Sequence, residues 1–213
     1  MPISLQGDIY FINVLPSAIH SRHIFDLYAY FAKDMALHGF IHYPPLVGYL
    51  TAFSQFVFLP VCPELASLAD HLSPLTTAFD LSIFSLAERL RFVFFMKLPY
   101  LIVDALCFAL IWRVSDSPKV RNFLVLFWLF HPVALYSTYI FGQYRIYTAF
   151  FEWAIICALL KDRKTLACLA FGAILLLENF AFMLLVPFVL ALGDTWKARW
   201  KYILLCILPF ALI

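Results

Sequence analysis

Apolar residues run in long unbroken stretches along this chain, and the charged residues collect between them. The stretches 46–61 (LVGYLTAFSQFVFLPV), 91–112 (RFVFFMKLPYLIVDALCFALIW), 122–141 (NFLVLFWLFHPVALYSTYIF) and 147–160 (YTAFFEWAIICALL) read as helices with no sustained polar face. That is the pattern of spans in hydrocarbon rather than of amphipathic surface helices. Residues 165–192 would make one helix about 42 Å long, too long for a single untilted crossing. With Glu178 and Asn179 near their middle, they predict two short spans joined at Glu178. A last apolar run, KYILLCILPFALI, ends at Ile213.

The loops between the later runs are basic: RVSDSPKVR at 113–121, KDRK at 161–164 and DTWKARWK at 194–201. Excess Lys and Arg mark the cytoplasmic side. Parity then carries the GQYRI corner at 142–146 and Glu178 to the outer face. The two earliest runs fit this alternation only if 62–90 holds a further crossing or a re-entrant piece. Residues 1–44 mix charge, histidine and aromatics, as an external interfacial loop would. Residues 45–213 are expected to form a single helical bundle. The predicted fold class is therefore all-α, a polytopic transmembrane bundle of about 5–7 segments.

Composition supports the lipid medium. The chain is 64% hydrophobic and 13% charged, with a mean hydropathy of +0.90. A soluble domain of this length could not bury so much apolar surface. A transmembrane barrel would alternate apolar and polar residues, and these runs do not. The net charge of +2 gives no basis for nucleic-acid binding. Cys62, Cys107, Cys157, Cys168 and Cys206 are scattered without CxxC pairing and read as small buried hydrophobes. MPISLQGDIYF lacks the basic start of a signal peptide, and no internal repeat stands out. His20/His23 and His38/His42 have helical spacing, but nothing beside them completes a zinc site.

Ionisable side chains inside the apolar runs point to function, since charge at the bilayer centre costs about 2.5–3.5 kcal/mol on insertion scales. Lys97 and Asp104 are seven apart and share a helix face, roughly 10 Å from one another. Glu152 stands seven after Arg145, again on one face. Glu178 must be paired or wet. Arg145 sits at a corner between spans, where its planar fork suits phosphate oxygens. Headgroup anchoring and interhelical pairing are the plain structural uses of the same residues.

Three stretches carry a resemblance: HYPPLVGYL at 42–50, KLPYLIVDALCFALIW at 97–112 and FWLFHPVALYSTYIFGQYRI at 127–146. Together they resemble the polytopic GT-C glycosyltransferases, which transfer a sugar from a polyprenyl-phosphate carrier at the outer or lumenal face. The likeness covers about residues 7–192. It implies a long external loop with an acid, ended by a YPPL-like turn. A K-x-P span with an Asp follows, then a span closing in Asn-Pro and G-Q-x-D, then a lysine-bearing break. Here Asn-Pro is His131-Pro132, the acid of G-Q-x-D is Arg145, and the break carries Glu178; the resemblance implies an acid and a base that exchanged signs, with an Arg145–Glu178 ion pair expected across the site. Relative to that family the first span, before the external loop, is missing here, and the resemblance leaves open a shortened chain, a split gene whose partner chain supplies that span, or a degenerate relative.

The resemblance implies direct displacement at the anomeric carbon, with inversion. Asp8 is the implied base, with Asp26 second. Tyr43, Lys97, Asp104, Gln143, Arg145 and Glu178 are the implied substrate-binding residues, with Pro44 and Pro45 turning the chain into the membrane. The donor would be a polyprenyl-phosphate-linked hexose among membrane lipids. A divalent cation is compatible with this chemistry, but no residue set demands one. A prokaryotic plasma membrane is favoured, with the endoplasmic reticulum second. The competing readings are a catalytically inactive membrane scaffold or subunit, favoured by the altered GQxD, and a transporter using its buried acids.

Overall fold

The computed structural model describes residues 12, 16–20, 26, 29, 44–66, 86–135 and 144–212. Among them every regular element is helical. The helices are α1 Pro45–Phe56, α2 Leu86–Trp112, α3 Pro118–Phe130, α4 Arg145–Leu160, α5 Lys164–Leu177, α6 Phe182–Leu192 and α7 Trp196–Ile207. A single helical turn lies at Pro132–Leu135, and 3₁₀ turns at Pro63–Leu65, Asn179–Ala181 and Leu208–Leu212. Pro45 and Pro118 open their helices, where a missing N–H costs nothing.

The breaks fall at polar residues and prolines. The 165–192 run divides at Glu178, as expected: its backbone is extended (φ −137°, ψ 109°) between α5 and the following 3₁₀ turn. The 122–141 run does not continue as one helix. His131 adopts an extended conformation (φ −69°, ψ 113°) because Pro132 disfavours helical backbone in its predecessor. The 46–61 run is helical only to Phe56 and then turns. Consequently, among the described residues, one helix is long and apolar enough to cross a membrane, Leu90–Trp112, with a mean hydropathy of 1.9. Lys164–Leu177 and Asn179–Leu192 are apolar but shorter.

The chain divides into two compact units: Met1–Ile102 with Pro132–Tyr144, and Val103–His131 with Arg145–Ile213. In the first, Ser17 Oγ donates to the Ala66 carbonyl at 2.6 Å, tying helical residues 16–20 to the end of the Pro63–Leu65 turn. Thr51 Oγ1 turns back on its own helix, donating to the Val47 carbonyl at 2.8 Å, which satisfies a fully buried hydroxyl. Phe58 and Phe95 meet at 5.6 Å between ring centroids. Arg91, near the start of α2, donates to the Glu64 carboxylate as an ion pair.

That pair gives a pH prediction. Partial burial alone would raise the Glu64 carboxyl. The backbone N–H of Glu64, the Cys62 thiol and the Arg91 guanidinium together outweigh it and hold the group below its usual range. A folded-state pKa below the unfolded one contributes stability above the ordinary carboxylate range, and this is lost as pH falls through the lowered value. Because the pair is partly exposed, the contribution is under about 1 kcal/mol. Parent and Glu64→Gln melting temperatures should therefore differ slightly at pH 7 and converge at strongly acidic pH. A gap that widens on acidification contradicts the assignment.

In the second unit, α4 and α5 form a hairpin through residues 161–163, where Asp162 takes a positive φ of 52°. Its core gathers Ile155, Ala158, Ala167, Cys168, Phe171, Ile174 and Cys206. Phe171 stacks on Phe188 at 4.3 Å. Gly172 lets α5 approach the C-terminal end of α7 closely: an added Cβ would overlap the Cys206 carbonyl oxygen and lie 2.8 Å from the Pro209 ring. Small residues at such crossings let backbones pack without a hydrophobic drive.

Two of the three basic loops of this unit, 161–164 and 194–201, meet at one end of α6. Lys164 Nζ donates to the Leu192 carbonyl at 3.2 Å, and Arg199 Nε donates to the Gly193 carbonyl at 2.8 Å. Cations on the last carbonyls of a helix satisfy acceptors that have no partner within it. Apolar surface remains open elsewhere. α3 has no buried residue, and Phe123 and Phe130 are 67% and 71% exposed. On α6, Met183 is 82% exposed. Surface of this kind is unfavourable in water and marks contact with an apolar medium or partner.

Candidate functional site

The helical repeat brings the polar groups of α4 together. Arg145, Thr148 and Glu152 are spaced i, i+3, i+7, which places them on one helical face. Arg145 is the first residue of α4, so its guanidinium sits at the end of the apolar run rather than within it. The facing strand of chain is the α5 break. The Glu178 N–H still donates to the Ile174 carbonyl at 2.8 Å, closing α5, and the Glu178 carbonyl accepts from Ala181 N at 3.0 Å, opening the 3₁₀ turn. The break thus leaves the side chain of Glu178 beside α4. Thr148 Oγ1 donates to Glu178 Oε1 at 3.4 Å, a long hydrogen bond.

Arg145, Thr148, Glu152 and Glu178 line one open cavity of about 380 Å³, floored by Ile174 and flanked by Phe180. Thr148 is buried, Glu178 half-buried, and Arg145 and Glu152 exposed. Among the described residues no direct ion pair joins Arg145 to either carboxylate. The cation and the acids face a shared space rather than neutralising each other by contact. Such a space suits a ligand carrying both anionic oxygens and hydroxyl groups. The guanidinium presents a fork of donors to phosphate oxygens, and ionised carboxylates accept hydrogen bonds from hydroxyls. Among the described residues no cluster of three or more His, Cys, Asp or Glu could hold a metal ion.

Of the remaining sequence candidates, the described ones, Lys97, Asp104 and Asp26, do not line this cavity. Asp104 on α2 accepts a hydrogen bond from Trp128 Nε1 on α3 at 2.9 Å, an interhelical pairing. Trp128 also meets Trp153 edge-on at 6.2 Å. Lys97 is half-buried on α2 and lies in the first unit. Asp26 is exposed, and its Oδ1 accepts from Ala29 N at 3.0 Å, a local turn contact. Asp8, Tyr43 and Gln143 lie outside the described residues. Thr148 was not singled out by sequence, although its place between Arg145 and Glu152 on the same face is visible in the spacing. Glu152 was one of the four ionisable residues singled out inside the apolar runs, with Arg145 as its expected partner.

The Asp104–Trp128 contact can be tested as a pair. Asp104→Leu alone leaves an indole N–H without its acceptor and should cost about 1–3 kcal/mol. Adding Trp128→Phe should recover part of that loss. A double-mutant cycle in thermal unfolding with no coupling between the two changes would dismiss the contact as a stabilising one.

No family model, no curated protein and no solved structure matches this chain.

Proposed function

We propose that the chain is a multi-pass membrane protein of GT-C-like architecture. In this reading it moves a hexose from a polyprenyl-phosphate carrier to an acceptor at the outer face, with inversion, and the Arg145–Glu178 cavity meets the lipid phosphate and the sugar. The observation that carries this is the convergence of Arg145, Thr148, Glu152 and Glu178 on one open cavity, built by two short apolar helices and a break. Supporting it, Lys164 and Arg199 gather at the Leu192–Gly193 end of α6, while Arg145 and Glu178 lie at the start of α4 and the end of α5. The hairpin therefore carries its cationic loop at one end and its mixed-charge cavity at the other. With the basic end cytoplasmic, the cavity opens outward.

In this mechanism Arg145 neutralises the departing phosphate. Glu178 and Glu152 accept hydrogen bonds from sugar or acceptor hydroxyls and orient them. Asp8 is the proposed base that takes the acceptor hydroxyl proton as the anomeric bond to phosphate breaks. α4, α5 and α6 act as short spans about 16–24 Å long, and the bilayer thins around them or they stack within a larger bundle. The membrane is proposed to be a prokaryotic plasma membrane.

The test is hexose transfer by membranes carrying the full chain, with a polyprenyl-phosphate-hexose donor, comparing the parent with Asp8→Asn. Transfer by the parent that collapses in the variant supports the reading; equal transfer removes Asp8 as the base. One observation favours a second reading. Arg145 stands where the resembling family carries an acid, which suits a subunit that binds the lipid phosphate without reacting. Donor binding without transfer, by a chain that co-purifies with a partner, would choose the subunit.

A further inference from the structure

α7 reaches the interior of its unit through a thiol. Of the residues Trp196–Ile207 only Cys206 is buried, and it is fully so. Trp196, Trp200, Leu204 and Ile207 are exposed, while Tyr202 and Leu205 pack part-buried against the core. Facing Cys206 is Cys168, in the second turn of α5 and likewise fully buried. Both are free cysteines, both belong to one buried cluster, and their thiols lie within hydrogen-bond reach of each other.

The backbone brings them together. Gly172 follows Cys168 by one turn on the same face of α5. A Cβ added there would overlap the Cys206 carbonyl oxygen. The two helices therefore cross at backbone contact within a turn of Cys168. A disulfide between helices needs such a crossing, since its Cα atoms must stand within about 7 Å. The other cysteines have different surroundings. Cys157 donates to the Leu110 carbonyl at 3.4 Å, the Cys62 thiol bonds the Glu64 carboxylate, and Cys107 lies buried on α2. Two thiols facing each other are a weak donor on a weak acceptor. A covalent bond is the stronger contact open to them.

We infer that Cys168 and Cys206 form a reversible disulfide that staples α7 to α5 when the protein meets a peroxide. One thiol, giving up its proton, attacks a peroxide oxygen; the O–O bond breaks, leaving a sulfenic acid and one water. The second thiol attacks that sulfur, the S–S bond forms, and a second water departs. The two sulfurs together lose two electrons and two protons, and hydrogen peroxide is reduced to water. Hydrogen peroxide is small and uncharged. Entry to the pair follows from α7 itself, because segments with few buried side chains open locally at low cost. A thiol reductant reverses the bond by exchange. Reduced, α7 rests on packing across Gly172; oxidised, it is tied covalently to the helix that ends at Glu178. Sugar transfer plays no part in this device.

The full chain in detergent micelles is treated with millimolar hydrogen peroxide, denatured and alkylated with N-ethylmaleimide. Peptide mass mapping then reads which cysteines escaped alkylation. The parent should yield one peptide joining Cys168 to Cys206, and dithiothreitol should release it. The oxidised chain should melt roughly 5 °C or more above the reduced one. Cys168→Ala and Cys206→Ala should each remove both the joined peptide and the gain in melting temperature; the helical circular-dichroism signal checks that each variant folds. Should neither fold, the joined parent peptide and its release by reductant decide. Alkylation of both Cys168 and Cys206 after peroxide, a bridge from either to another cysteine, or a sulfinic acid at either without a bridge each overturns the inference. So does a joined chain that melts no higher than the reduced one.

Discussion

On the proposed transferase reading, Arg145→Glu should abolish hexose transfer, and Glu178→Lys should do nearly the same, while Arg145→Glu combined with Glu178→Lys should restore a measurable part of it. The expectation follows from the shared cavity. Arg145→Glu sets an acid at 145 beside Glu152 and Glu178, so three carboxylates face one space and the phosphate loses its cation. Losing one such group costs about 10²–10³ in turnover in well-studied sites, or about 2.7–4 kcal/mol. Glu178→Lys places two cations opposite Glu152 alone and removes the acceptor that Thr148 holds. The double change returns one cation and two acids to the cavity with the cation moved across it. That is also the order of signs in the GT-C motifs the sequence resembles. Transfer is measured in membranes, with melting temperature beside it to separate lost chemistry from lost folding. A double variant no better than the worse single one would dissolve the idea that positions 145 and 178 exchanged roles.

Part of this site was legible before any coordinates. Glu178 could be located because a carboxylate in the middle of an apolar run forces a local explanation, and the helix does break there. Arg145 was legible for a similar reason, standing where one apolar run ends and the next begins. Thr148 was harder, because a threonine in an apolar helix usually bonds its own backbone, as Thr51 does here. Its use of Glu178 depends on α4 and α5 packing face to face, a tertiary fact that no spacing contains. For Asp104 the sequence offered interhelical pairing beside a polar stripe toward other helices, and the structure shows a contact of the first kind, from the Trp128 indole.

The helical class was equally plain in the pattern, but the lengths were not. Hydropathy sums over a window and cannot see that His131 must leave the helix before Pro132, or that Glu178 adopts an extended conformation. The runs therefore look longer in sequence than the helices they form. Lys164 and Arg199 show what was missing from a count of charges: both cations are spent on the carbonyls that end α6. Their positions mark a helix end.

Gly172→Leu should prevent the second unit from folding, and Gly172→Ala should destabilise it by about 1–3 kcal/mol. A Cβ at 172 would overlap the Cys206 carbonyl oxygen, which is backbone and cannot rotate away, and would press on the Pro209 ring. Relief requires α7 to move off α5. That would open the core that Cys168 and Cys206 share, both fully buried in the parent. A serine or alanine gains no compensating contact there, because the space is already filled by the neighbouring chain. The companion change Ala173→Leu, one position along and only half-buried, should cost far less. The measurement pairs thermal unfolding with maleimide labelling of Cys206 in a chain whose other cysteines are replaced by alanine. The parent should label slowly and Gly172→Ala markedly faster. If Gly172→Ala melts with the parent and keeps Cys206 shielded, then α5 and α7 do not approach as closely as the backbone here requires, and the packing of the whole second unit must be redrawn.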